Sequence, residues 1–493
     1  MNLVVLILIP LLTALLVALS RNASQVRMIS LTGSVVQLVA SLYLLFSYEA
    51  ERAAGNSEQM LFVFKQELFP SIGINFHIGV DGISIAMILL TAFVVLAGVL
   101  VSWKVEKMVK EFYLLLLLLA VGAYGFFISL DLFVLFFFLE VSVIPKYLLI
   151  GIWGSGKKEY SANKLALMLM GGSALILVGL LGLYFSGKGP HSFDLIELAT
   201  IGFSTENQLI FFPLLFVGFG VFTALFPFHT WVPDGHSSAP TAGSMFLAGI
   251  SMKLGGYGCL RVATYLMPEG AKQYATIIIV LASIAILYGA FATLMQKDLK
   301  YMNAYSSISH CGFVLLGIGM LTQTAMTGAV MQMVSHGLMT ALFFAVIGIM
   351  YERTHTRQIS EMGGLMKVMP FTMTILFIAG LCSLGLPGLS GFVAEMTIFM
   401  GSWQKEGTFY RIATIISCMS IVVTAVYILR AIGQTAMGPL KENYSSLKDA
   451  DWNEWLAVIV LVTGILAIGV APFWLKDLLA PGTEIIMNKI SNK

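Results

Sequence analysis

Residues 129–154 read SLDLFVLFFFLEVSVIPKYLLIGIWG, an apolar run with a carboxylate, Glu140, and a cation, Lys146, in its interior. About 20 apolar residues are enough for a helix to cross the hydrocarbon core of a bilayer. A charged side chain at that depth is costly and marks a functional site by default. The stretch therefore predicts a membrane-spanning helix that begins after Ser129–Leu130–Asp131 and buries ionisable groups near its centre.

Similar apolar runs recur along the whole chain. Of the 493 residues 58% are hydrophobic and only 11% are charged, whereas a soluble domain has about 25% charged residues. The first run lacks a preceding basic region, so we read it as a spanning helix and not as a cleaved signal. The pattern predicts an all-α polytopic membrane protein of about 14 transmembrane helices, over residues 2–20, 27–47, 81–103, 112–130, 131–153, 162–185, 208–226, 240–266, 273–296, 300–321, 323–351, 371–402, 408–435 and 453–475.

The positive charges are divided unequally between the two sets of loops. Of the 28 Lys and Arg residues, 16 fall in one set, among them Lys300, and 10 in the other, among them Arg261. Loops richer in Lys and Arg tend to be cytoplasmic, which predicts that both termini face outward. The net charge of +2 gives no indication of a nucleic-acid partner. The four cysteines show no metal-binding spacing, so we expect no metal or iron–sulfur centre in the chain.

Two predicted spans are interrupted at matching places. Pro227 and Pro387 interrupt these two runs. The separation of the two prolines along the chain is nearly the same as the separation between the starts of the two five-span blocks that contain them. Interrupted helices at corresponding positions of two halves indicate a transport path; two unrelated proline kinks are the alternative. The division that this predicts is residues 1–111 for helices 1–3, 112–266 and 273–435 for two five-helix repeats, and 436–493 for the last helix and tail.

Four more ionisable residues lie deep in predicted spans: Lys253, His310, His336 and Glu395. Burial shifts the proton affinity of carboxylates and lysines, and histidine can donate and accept protons near neutral pH. With Glu140 and Lys146, they are candidates for a proton relay. The alternatives are structural: an ion pair at Glu140, a snorkelling lysine at 253, hydrogen-bonded core histidines and a carboxylate that caps broken backbone at Glu395.

Some polar segments lie outside the predicted spans. The loop 228–240 carries His229, Asp234 and His236, which are candidates for proton uptake, although a purely structural loop would have the same composition. Residues 61–69 and 72–80 are candidates for short strands or interfacial pieces, and 191–201 for a helix along the membrane surface.

Several of these motifs together resemble a known family. They are LFFFLEVSVIPKYLLIGIWG, PFHTWVPDGHSSAPTAGSMFLAGISMKLGGYGCLR, QKDLKYMNAYSSISHCGF, VSHGL, GLPGLSGFVAE and GVDGISIAMILLT. They resemble the antiporter-like subunits of proton-pumping NADH:quinone oxidoreductase (complex I), over about residues 75–435. Glu395, where sibling subunits carry lysine, favours the branch called subunit M, or subunit 4.

The resemblance implies 14 helices with two inverted five-helix repeats and broken helices 7 and 12. It implies that Glu140, Lys253 and Glu395 are the charged residues of a hydrated axis, with His310 and His336 as links between them. The family usually places a lysine seven residues before the histidine of the PxHxW motif, where this chain has Phe222. Our hypothesis is that Lys146 supplies that charge.

The expected function is proton translocation coupled to quinone reduction, as a subunit of an enzyme that carries FMN, iron–sulfur clusters and quinone in other chains. The chain itself has no flavin, nucleotide or cluster motif. Expected partners are other membrane subunits of complex I and lipid, in the inner (plasma) membrane of a bacterium. A subunit of a multi-chain Na+/H+ antiporter or membrane-bound hydrogenase, and a structural spacer, remain alternatives.

Overall fold

The computed structural model describes residues 2–186 and 191–491, which form a helical bundle with one two-stranded hairpin. Lys188 and Lys493, two of the cations counted above, lie outside these residues. The helices are α1 (Val4–Leu19), α2 (Ala23–Ala53), α3 (Gly82–Val101), α4 (Val109–Ile128), α5 (Leu132–Val141), α6 (Val143–Trp153), α7 (Lys158–Ser186), α8 (Leu195–Ile201), α9 (Thr205–Thr223), α10 (Trp231–Ser238), α11 (Thr241–Phe246), α12 (Met252–Gly258), α13 (Pro268–Leu294), α14 (Leu299–Gly319), α15 (Gln323–Thr354), α16 (Pro370–Leu384), α17 (Ser390–Trp403), α18 (Thr408–Ala436), α19 (Trp452–Val470) and α20 (Phe473–Ser491).

The prediction of a helical polytopic membrane protein is confirmed. Within the described residues, 10 helical segments are long and apolar enough to cross a membrane, and α1 and α16 are shorter apolar helices. The predicted interruptions are also present, since α9 ends at Thr223 and α16 at Leu384, each before a short non-helical stretch. The total of 14 spans, the four-part division and the inverted repeat remain predictions.

Aspartates begin several helices by the same local device. Asp131 accepts hydrogen bonds from the backbone N–H groups of Phe133 and Val134 at 2.9 and 3.1 Å. Asp298 does the same for Lys300 and Tyr301 at the start of α14. An N-cap side chain satisfies N–H groups that have no partner inside the helix. The predicted boundary at Asp131 is therefore a true helix start.

One end of the bundle carries the β-hairpin, and we call it the hairpin face. Strands β1 (Leu61–Phe69) and β2 (Ile74–Val80) pair antiparallel, and the turn between them contains Gly73 at φ +67°, a conformation that favours glycine. The short helix α8 joins this face through the bridge between Asp131 and Asp194. The two predicted strands are thus present, the second two residues shorter than expected, and the helix predicted over 191–201 begins only at Leu195. Its position along the membrane surface stays a prediction.

One local expectation was wrong, and two other segments have features that the prediction did not specify. The loop predicted at 228–240 contains α10, whose residues are almost all buried. The predicted span 240–266 is helical from residue 241 onward, but two of its segments, Leu247–Ser251 and Cys259–Thr264, are π-helical. The tail after the last predicted span forms α20, which packs against α3 and α15. In each case tertiary contacts bury backbone that the local sequence leaves ambiguous.

Candidate functional site

Lys253 lies in the short helix α12, directly after the first π-helical segment, and is 1% exposed. Its Nζ donates a hydrogen bond to the carbonyl oxygen of Ala248, which that segment leaves turned towards it. Gly255 lets α9 approach closely, since a Cβ there would overlap the backbone of Phe219. Single-turn π segments inside helices are frequent at functional sites, and here the segment presents a carbonyl to a buried cation.

A continuous series of contacts runs from Lys253 to Glu395. Lys253 Nζ lies 2.9 Å from His336 Nδ1 on α15. The rings of His336 and His310 are stacked with their centroids 5.3 Å apart, and His310 Nδ1 lies 3.4 Å from Glu395 Oε1. All four side chains are 5% exposed or less. Four of the predicted relay residues are therefore neighbours in space, on four different helices.

Polar side chains hold His310 in place. His310 Nε2 is 3.0 Å from Ser383 Oγ, and Gln332 Nε2 is 3.2 Å from His310 Nδ1. Glu395 lies on α17, just after the break that follows α16, and a Cβ at Gly385 would approach its carboxylate at 2.9 Å. The break thus brings the carboxylate beside the end of α16 and within reach of His310.

Glu140 and Lys146 lie in a separate part of the chain. The α5 helix ends at Val141 and α6 begins at Val143, so the two side chains are on different helices. Glu140 is only partly buried and accepts a hydrogen bond from Ser173, whereas Lys146 is 1% exposed and donates to Ser142 Oγ at 3.0 Å. No ion pair joins them in the described part of the chain.

Lys146 lies close to Phe222, the residue that stands where the family described above usually carries a lysine. Its Nζ is 5.9 Å from the centroid of the Phe222 ring on α9. The side chain of Lys146 therefore reaches from α6 towards the position where the related proteins are expected to carry a lysine. The distance is within the range of a cation–π contact.

The uptake candidates are clustered at the end of the bundle opposite the hairpin, which we call the opposite face. Asp234 pairs with Lys164 at 2.7 Å and lines a polar cavity of about 650 Å³. His236 on the same helix is fully buried instead. His229 is 4% exposed and packs between Phe226 and Tyr288, at ring distances of 5.3 and 4.9 Å. Only Asp234 of the three is directly accessible from the cavity.

Sequence reasoning missed three buried charges because it counted two of them as loop cations. Arg261 is 1% exposed and pairs with Asp81, which caps α3. Lys300, 6% exposed, donates to the carbonyl oxygen of Ala239 at 2.7 Å. Each cation lies within a few residues of a predicted span end, where hydropathy cannot distinguish a buried side chain from a solvated one. The sequence offered one signal of their importance: both cations lie in the quoted motifs, Arg261 shortly after GGYG and Lys300 shortly after QKD.

The described residues contain no cluster of three or more His, Cys, Asp and Glu side chains that could hold a metal ion. The buried ionisable groups of the site are lysine, histidine and carboxylate side chains. These groups exchange protons, and burial in apolar surroundings makes their proton affinities sensitive to neighbouring charge.

The chain matches known proteins over most of its length. The family described as "NADH:quinone oxidoreductase/Mrp antiporter, TM" matches residues 129–421. The chain is 38% identical to NAD(P)H-quinone oxidoreductase chain 4 1 of Synechococcus elongatus, over 94% of this chain and 87% of that protein. It is 36% identical to NADH-quinone oxidoreductase subunit M of Rickettsia bellii, over 90% and 88%.

A solved structure is similar over the whole length. A chain of respiratory complex I from Thermus thermophilus with bound NADH aligns with a TM-score of 0.91 and 28% identity, over 99% of both chains. The matched family covers all six predicted relay residues and the three uptake candidates. The chain therefore belongs to the family of NADH:quinone oxidoreductase and Mrp antiporter transmembrane subunits.

Proposed function

We propose that this chain is the subunit M-type, proton-translocating membrane subunit of an NADH:quinone oxidoreductase. The observation that carries the proposal is the series of neighbouring side chains Lys253–His336–His310–Glu395, which crosses four helices with buried groups that can all exchange protons. The names of the two relatives and the complex I match support the same assignment. Flavin, clusters and quinone belong to other subunits in this proposal.

Protons move along the series by exchange at named atoms. The Lys253 ammonium gives a proton to His336 Nδ1, and the histidine ring releases one from its other nitrogen. Water joins His336 to His310, because the stacked rings do not point a donor at each other. His310 then passes a proton to the Glu395 carboxylate, which becomes neutral until the proton leaves through the break before α17. Histidine suits the middle positions because it both accepts and donates protons.

Glu140 and Lys146 set the proton affinity of Lys253 from a distance. When Lys146 is drawn towards Glu140, the positive charge moves away from the centre of the chain, and Lys253 holds its proton more tightly. When the pair opens, the Lys146 charge returns towards Phe222 and favours release. In this proposal Lys146 takes the role of the lysine that the family places on α9, and its approach to Phe222 supports that assignment.

Proton uptake is proposed at the opposite face, through the cavity that Asp234 lines, with His236 as an inner acceptor and His229 beside it. The chain is proposed to lie in the plasma membrane of a bacterium, with both termini on the outer side and uptake from the cytoplasm. Its partners are other membrane subunits and surrounding lipid. Glu140, partly exposed on the surface of this chain, would face such a partner.

The experiment that tests the function uses the assembled complex in proteoliposomes. NADH-driven quinone reduction should acidify the lumen without any requirement for sodium, and Glu395→Gln should reduce proton movement while the complex stays assembled. Obligatory sodium transport would favour the Na+/H+ antiporter alternative. Full proton movement in Glu395→Gln and Lys253→Met alike would favour a structural spacer.

A further inference from the structure

The cavity at the opposite face lies near Lys300, a buried lysine that has no role in the pathway proposed above. The cavity is lined by polar side chains on three sides, including Asp234, Tyr301 and Arg357. Tyr301 directly follows Lys300 on α14, and Arg357 holds both Asp298, at 3.2 Å, and the carbonyl oxygen of Ser237, at 2.9 Å. The wall of the cavity is thus built from the residues that surround Lys300.

Lys300 itself is turned away from the cavity and into the protein. The residue is 6% exposed, and its Nζ donates to the carbonyl oxygen of Ala239 at 2.7 Å. Ala239 directly follows Ser238, which lines the cavity and is bonded to Ser161 at 2.8 Å. Lys300 therefore lies one residue layer behind the cavity wall, at the C-terminal end of α10.

His236 lies on the inner side of the same layer. It is fully buried, and neither ring nitrogen has a hydrogen-bond partner among the described residues. Both Lys253 and Lys300 are near enough to interact electrostatically with the ring. A buried imidazole with two unsatisfied nitrogens is unfavourable unless water occupies the space beside it. This is what a hydrated link between the two lysines requires.

We propose that Lys300 is a proton-transfer residue that admits protons from the cavity to His236 and so to Lys253. Water that passes the cavity wall brings a proton to the neutral Lys300 amine, the resulting ammonium donates one proton through water to a ring nitrogen of His236, and Lys300 is left neutral again. The inference rests on the proposed function, of which it is the uptake step.

The decisive variant keeps the positive charge at position 300 and removes the ability of the side chain to exchange a proton. Arginine at position 300 can still donate to the Ala239 carbonyl, but a guanidinium does not release its proton in a protein. If Lys300 only holds α10 in place, Lys300→Arg should pump normally. If Lys300 transfers protons, Lys300→Arg should lose proton movement as strongly as Lys253→Met, with the complex assembled and its redox centres intact.

The measurement is protons moved per NADH oxidised, by the assembled complex in proteoliposomes. Lys297→Arg is the matched control, because Lys297 is exposed in the loop directly before α14 and should retain full pumping. Normal pumping in Lys300→Arg, with loss in Lys253→Met, would overturn the uptake step and leave the proposed function standing. Normal pumping in both would overturn the proposed function as well. If Lys300→Arg lowers assembly, Lys300→Gln must also fail to pump in the fraction that assembles, or the inference is wrong.

Discussion

Lys253 Nζ and His336 Nδ1 lie 2.9 Å apart, although 83 residues separate them in the chain. Neither group has access to solvent, and two like charges at this distance would repel strongly in an apolar interior. One proton shared between them is therefore the stable arrangement. A charge that approaches or leaves changes which of the two holds the proton.

Replacing His336 should interrupt proton movement at this contact. We expect His336→Asn to lower the proton-pumping rate by about tenfold or more, since a positioned proton-transfer group contributes about 10²–10⁴-fold. The control is His355→Asn, at an exposed position after α15 whose positive φ asparagine tolerates. Dye quenching in inverted membrane vesicles measures the rate. Equal pumping in the two variants would show that His336 is only a packed core residue.

The role of Lys146 can be tested by moving its positive charge to position 222. Lys146→Met should impair pumping about as much as Glu140→Gln, because each variant removes one of the two charges that are proposed to act on Lys253. The double variant Lys146→Met/Phe222→Lys should recover pumping, since Phe222 is the residue that the Lys146 ammonium approaches at 5.9 Å.

Proton pumping by these variants is compared at equal amounts of assembled complex. Lys107→Met, which removes an exposed lysine bonded to the Ile152 carbonyl, should pump normally. Near-normal pumping in Lys146→Met, with the complex intact, would end the hypothesis that Lys146 supplies the missing charge. Failure of the double variant alone would show that the two positions are not equivalent.

Sequence reasoning identified the ionisable residues within the predicted spans but not the contacts between them. An ionisable residue within an apolar run of about 20 residues is costly and is seldom present without a function. This made five residues recognisable: Glu140, Lys253, His310, His336 and Glu395. Which of them touch depends on four helices meeting, and helix order within a membrane leaves no trace in hydropathy. The contact between Lys253 and His336 is therefore visible only in the folded chain.

The hairpin face should lose stability in acid because of Asp194. Burial raises the pKa of this carboxyl, but hydrogen bonds from His77 and Lys65, each 2.8 Å long, outweigh it and hold the pKa well below its usual range. A depressed folded pKa contributes stability above the unfolded value of about 3.9 and loses it as the pH falls towards the folded value.

Thermal unfolding of the solubilised complex at pH 7 and at about pH 3.5 measures this contribution. We expect Asp194→Asn to unfold at a lower temperature than the native protein at pH 7, and the difference to begin to shrink in acid, because the carboxyl of the unfolded chain takes up a proton near pH 3.9 while the folded Asp194 is still ionised. Asp477→Asn, at an exposed aspartate of α20, should match the native protein at both pH values. A difference that grows in acid would contradict the assigned ion pairs.

Gly255 should be intolerant of a side chain. A Cβ there would overlap the Phe219 carbonyl and the Thr223 side chain on α9, and overpacking a tight contact costs about 1–3 kcal/mol. Gly255→Ala should therefore lower the thermal stability of the complex. Gly151→Ala is the matched control, because nothing lies within 4 Å of its added Cβ. Equal stability would mean that α9 and α12 can separate without loss.

Local sequence was least informative where tertiary contacts decide the backbone. The segment of α10 contains Pro233 and Gly235, which are typical of loops, yet the helix is buried against α7 and α14. The π-helical segments arise in a run whose composition fits an ordinary helix. Helix propensity is a weak preference that packing overrides, and both departures lie next to Lys253 or His236, where a regular helix would place other atoms at the site.

The most direct measurement of the proton relay is the number of protons moved per NADH oxidised in Lys253→Met, with the assembled complex in sealed proteoliposomes. Methionine keeps the length of the side chain and removes the exchangeable proton. The relay predicts fewer protons per NADH than in the native complex, at equal content of flavin and clusters. An unchanged ratio would contradict it, because protons would then cross without the only buried group that joins α12 to His336 among the described contacts.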